Sequence, residues 1–133
     1  MQDRPTYDEL LAAIETFLDE EIVPNTPGSR GFHARVAANA IRIVRRELAL
    51  REEQLAAQWD GLDALLGAAE MPRRQKALED EISGRNAALC EQIRAGEADA
   101  GEYGERAFAH VRRTVADKLR VSDPGLLERD HMV

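Results

Sequence analysis

The spacing of large apolar residues constrains this chain most. They recur at intervals of three, four and seven, and glycine and proline fall mainly between the runs. That interval lines one face of a helix, whereas a half-buried strand would alternate at every second position. Aromatic residues make up only 5% of the chain, so little remains to build a sheet. The pattern predicts an all-α fold, a single-domain bundle of four to five amphipathic helices over 1–133, with frayed ends at about 1–5 and 126–133. A chain of 133 residues buries roughly two-thirds of its unfolded surface, enough for one core.

Thr6 with Glu9 three positions on is a capping-box signature, and Pro5 cannot extend a helix backwards, so a first helix starts here. Tyr7, Leu10, Leu11, Ile14, Phe17, Leu18 and Ile22 project as its buried stripe, with Asp8, Glu9, Glu15, Asp19 and Glu20 behind it. Pro24, Pro27, Gly28 and Gly31 supply a turn. A second helix, about Gly31 to Leu50, has Val36, Ala37, Ala40, Ile43, Val44 and Leu48 as its apolar stripe, opposite Arg35, Arg42, Arg45 and Arg46. It either breaks near Leu50 or continues into a stretch carrying Leu55, Trp59, Leu62, Leu65 and Leu66, which Gly67 caps.

A fourth helix follows Pro72, with Leu78, Ile82, Leu89 and Ile93 in register and Gly96 as its stop. Gly84 in its middle suggests a kink or a close contact. Gly96 to Gly104 reads as a loop. A fifth helix then buries Phe108, Val111, Val115 and Leu119, and Asp123-Pro124-Gly125 ends it.

The net charge of −7 opposes binding to nucleic acid or an anionic membrane. No run of apolar residues is long enough to span a bilayer, and no apolar leader follows the N-terminus. A single cysteine, Cys90, excludes an intrachain disulfide, and a cytoplasmic setting follows as the expectation. The charge is polarised. Asp8 to Glu21 holds six acidic residues and no base, and Arg30 to Arg51 holds six arginines against Glu47 alone.

The three histidines supply neither a pair of Glu-x-x-His motifs nor a His-Glu-x-x-His, so no metal motif is offered, and no cofactor is expected. His110 projects away from the apolar stripe of its helix and reads as exposed. His33 falls on the second helix's apolar stripe and reads as a buried, hydrogen-bonded group. It could also pair with Asn39 for acid–base work. Arg85 lies within the fourth helix's apolar stripe and must snorkel, meet a carboxylate or reach a partner. Cys90 reads as a small core or boundary residue. The arginine face is either paired with the acidic back of the first helix or a docking surface. As a docking surface it would take an acidic protein or a phosphorylated ligand, with Arg35, Arg42 and Arg46 as the phosphate clamp.

Four blocks carry a family resemblance: Met1 to Thr6 with Glu9-Leu10-Leu11, Phe32 to Ala40, Asn86 to Cys90, and Ile93 to Glu97. Together they resemble a small bacterial family of helical proteins of unknown function encoded beside aminoglycoside-phosphotransferase-like kinases and acyl-CoA dehydrogenases. The resemblance implies a non-catalytic companion subunit of a phosphotransferase-like kinase that acts on 4-hydroxyacyl-CoA. It carries no catalytic residues to transfer. His33, Arg35, Asn39 and Asn86 sit in its blocks, and with Arg42 and Arg46 they form the candidate partner- or ligand-binding set. A CoA-binding module and a self-associating homo-oligomer are the alternatives.

Overall fold

The computed structural model describes residues 3–129, and among them every regular element is helical. The chain is all-α, as its periodicity predicts. The elements are α1 (Tyr7–Thr16), a π-helical turn (Phe17–Ile22), α2 (Val23–Asn25), α3 (Ser29–Leu66), α4 (Gln75–Arg94), α5 (Gly101–Ser122) and α6 (Pro124–Arg129). Backbone proximity groups them into two compact units, one ending at Leu50 and the other beginning at Arg51. The boundary falls inside α3.

The capping box forms as its spacing requires. Thr6 Oγ1 accepts from Glu9 N at 3.2 Å, and Glu9 Oε2 accepts from Thr6 N at 2.7 Å. Helical structure continues through Pro24. Proline has no N–H and its ring crowds the carbonyl four residues back, and the wider π-helical turn immediately before it absorbs that misfit.

Pro27 and Gly28 lie in the turn between α2 and α3, and Gly28, at φ +76°, takes its left-handed position. Gly31 lies inside the first turn of α3, where a Cβ would strike the carbonyl oxygen of Thr26. It is a close-approach residue, where the sequence suggested a turn. The second and third predicted helices are one 38-residue helix, because no residue between Leu50 and Leu55 interrupts the backbone ladder.

In the first unit the expected stripes are only partly covered, with Leu11, Leu18, Ile22, Ile43 and Leu48 half-buried. Gly31, Ala34 and Ala38 are the buried positions of α3, whereas Val36, Ala37, Ala40 and Val44 are exposed. Tyr7, Leu10 and Ile14 on α1 and Phe17 at the start of the π-helical turn are exposed too. The second unit is built around Trp59, Leu62, Ile82, Leu89 and Ala107, with Leu55, Leu65, Leu66, Leu78 and Tyr103 packed on them. Apart from Ala107 and Tyr103 of α5 these come from the predicted stripes of the third and fourth helices, whereas Ile93, predicted with them, is exposed.

Helix α5 departs from its predicted stripe. It buries Ala107, His110, Ala116 and Val121 and leaves Phe108, Val111 and Val115 outside. Alanine lets helix backbones approach closely, which the larger residues on the other face would prevent. Gly67 (φ +92°) and Gly96 (φ +85°) end their helices as expected, and α5 begins at Gly101, inside the predicted loop. Residues 124–129, of which 126–129 were expected to fray, form α6; the remainder of that tail lies outside the described residues.

Candidate functional site

Ion pairs fix how α1 and α3 face each other in the first unit. Glu15 accepts from Arg42 Nε at 2.8 Å and from Arg45 Nη1 at 2.7 Å, so one carboxylate bridges two arginines one turn apart. Arg42 also reaches Asp19, and Arg45 forks onto Asp8 at 2.8 and 3.2 Å. The planar guanidinium suits such bidentate pairing. The same contact raises the Arg45 pKa and lowers that of Asp8, the side-chain hydrogen bond being the largest cause for both. The arginine face and the acidic back of α1 are thus paired internally, and Arg42 is already engaged by carboxylates where a phosphate clamp would need it.

Once that side of α3 is committed to α1, the opposite side faces out. Phe32, Val36, Ala40 and Val44 follow one another at four-residue steps, with Phe32 58% and Val36 52% exposed. His33 and Asn39 flank this row, and both are exposed. His33 is therefore no buried stripe residue; its ring meets that of Phe32, with centroids 5.9 Å apart. His33 and Asn39 lie six positions apart on one helix, well over a quarter-turn apart in projection, and the structure does not join them as an acid–base pair. Arg35 is exposed and Arg46 half-buried on the same helix. Of the candidate set, His33, Arg35 and Asn39 are each exposed on α3 but point in different directions, Arg42 turns to α1, and Asn86 belongs to the second unit.

The polar residues of the second unit form their own arrangement. Buried Arg85 meets Asp63 at 2.8 Å, donates to the carbonyl oxygen of Gly67 at 2.7 Å, and lies 4.7 Å above the Trp59 ring. Of the three fates its sequence position allowed, it meets a carboxylate, and an aromatic face as well.

His110 is also buried, at 5% exposure, where projection placed it outside. Gly61 makes the room: a Cβ there would collide with Nδ1 of the ring. That nitrogen has no hydrogen-bond partner among the described residues. Burial, then the charge of Arg113, pushes the His110 pKa down and favours the neutral ring. Gly61 is the signal sequence reading missed. A glycine inside an otherwise strong helical pattern needs a packing reason. Gly84, the glycine that was singled out, has open space around it instead of a close contact.

Asn86 accepts from Gln58 Nε2 at 3.4 Å. The pair lies along a shallow groove of about 260 Å³ that is walled by Leu89, Ile93, Val111 and Val115 and has Lys118 at its edge. Cys90 opens onto this groove and is exposed, so it is not a core residue. Among the described residues no three His, Cys, Asp or Glu side chains cluster in a way that could hold a metal ion. Among them, too, no helix is long and apolar enough to cross a membrane.

Neither a curated protein nor a solved structure matches the chain. One family model does, over residues 24–126, a span that takes in α3, α4 and α5 entire. The chain belongs to the family described as Domain of unknown function (DUF6285).

Proposed function

We propose that this protein is a non-catalytic accessory subunit whose exposed α3 face docks onto a phosphotransferase-type kinase of hydroxyacyl-CoA catabolism. The identity of the kinase rests on the sequence resemblance. The observation that carries the docking role is the row Phe32, Val36, Ala40 and Val44, left facing outward on a helix whose other side is bound to α1 by ion pairs. A contiguous apolar patch on a polar chain favours association, since burying it releases roughly 25 cal/mol per Å². His33 and Asn39 at its edges supply the polar rim that orients a partner. The work assigned to this chain is to bind and complete the kinase, with bond-making left to the partner.

The test is co-expression with the phosphotransferase-type kinase, followed by co-purification and kinase assay on a 4-hydroxyacyl-CoA. The expected result is a stable complex with higher activity than the kinase alone, and loss of both with Val36→Glu or Phe32→Glu. A kinase fully active and uncomplexed in the presence of this chain overturns the reading.

A further inference from the structure

We infer that the groove between α4 and α5 binds a small amphipathic carboxylate, its head at Lys118 and its chain running towards Ile93. The groove lies wholly in the second unit, apart from the Phe32 row on which the kinase reading rests. Hydrogen bonds show that its two ends differ. Gln58 of α3 donates to Asn86 of α4, and Gln54, one turn away on α3, donates to the carbonyl oxygen of Asp117 on α5 at 2.9 Å. Asn86 and Lys118 therefore stand at the same end. Tyr103 near the start of α5 bonds to Gln92 near the end of α4, so the two helices run antiparallel. From Asn86 to Ile93, and from Lys118 back to Val111, is seven residues in each case, about 10 Å at 1.5 Å per residue. Gln58, Asn86 and Lys118 thus mark a polar end, and Leu89, Ile93 and Val111 lead away from it as an apolar channel.

Charge and size then select the occupant. No carboxylate lines the groove, and burial favours the neutral ring of His110, which leaves Lys118 as the one charge in the wall. Asp117 beside it is engaged by Arg120, so the ammonium is left for an anion from outside. Asn86 spends its carbonyl oxygen on Gln58, which leaves its amide N–H groups to donate. An ionised carboxylate only accepts, and it suits both donors. The room of about 260 Å³ is that of about nine waters at roughly 30 Å³ each, so about eight to ten heavy atoms fill it. An unbranched monocarboxylate of about six to eight carbons has that size, one negative charge, and a chain whose burial along the apolar walls drives binding.

Cys90 supplies the readout, because the sole thiol of the chain is exposed on the groove wall and a bound chain would cover it. Alkylation of the full chain by iodoacetamide at constant pH should slow saturably as octanoate is added. Acetate lacks the chain and should give no protection. Octanol lacks the charge and should protect more weakly than octanoate. Lys118→Gln, at unchanged far-ultraviolet helicity, should weaken octanoate about twofold to fivefold, the worth of an exposed ion pair, and leave octanol as it was. Three outcomes overturn the inference: alkylation that octanoate does not slow, equal protection by octanol and octanoate, or octanoate protection that Lys118→Gln leaves unchanged. None of them bears on kinase binding through the Phe32 row.

Discussion

Gly61 and Gly84 are both mid-helix glycines, and the space around them sets opposite expectations. At Gly61 a methyl group would displace the rings and guanidinium of His110 and Arg113, so Gly61→Ala should destabilise the protein by about 1–3 kcal/mol, the usual cost of overpacking. At Gly84 nothing lies within 4 Å, so Gly84→Ala should gain about 0.5–1 kcal/mol from backbone entropy. Urea midpoints of the two variants check the pair.

His110 adds a pH dependence. Its folded pKa lies below the unfolded value of 6.5, so near neutral pH both states hold the ring uncharged and stability is at its full value. As pH falls through 6.5 the unfolded chain takes up a proton that the folded one refuses, and stability declines until the folded pKa is passed. Urea titrations between neutral and mildly acidic pH should show this decline, and His110→Gln should flatten it.

Among the elements, α1 is tied to α3 by ion pairs. Its carboxylates meet Arg42 and Arg45 on partly exposed ground, where such pairs are weak and screened by salt. Hydrogen exchange should therefore find α1 amides losing protection in 1 M salt, where screening falls to about 3 Å. Amides around Trp59 and Leu62, in the apolar core of the second unit, should hold theirs. Arg45→Ala should reproduce the loss for α1 at low salt, because it frees Asp8 and half of the Glu15 bridge together.

For the whole molecule, the large apolar residues left outside matter more than those inside. Phe32 and Val36 on α3, Ile14 on α1, Phe17 in the π-helical turn, and Phe108 and Val115 on α5 are all half exposed or close to it. Scattered exposure needs no explanation, but rows at helical spacing do. Changing Phe32 or Val36 to glutamate should accordingly alter the free energy of unfolding, read from urea titrations, by no more than about 0.5 kcal/mol, the range of ordinary surface substitutions, even where it abolishes association. Stability and binding read on the same variants separate a docking face from a core face.

The helices themselves were written in local sequence. Thr6 with Glu9 starts α1, Gly67 and Gly96 end their helices, and the Leu55 to Leu66 period names the core of the second unit, because caps and periodicity act within a few residues of one another. What local sequence did not determine is which side of a helix turns inward. Periodicity gives an apolar side but not its destination, and on α1, the first half of α3, and α5 the inward side is instead the one that approaches closest or pairs its charges. Ala34, Ala38 and Ala107 permit the close approach, Arg42 and Arg45 find carboxylates 23 to 37 positions away, and Gly61 admits a histidine from another helix. Each of these depends on a neighbour distant in sequence, so only the tertiary structure decided that His110 is inside and His33 outside.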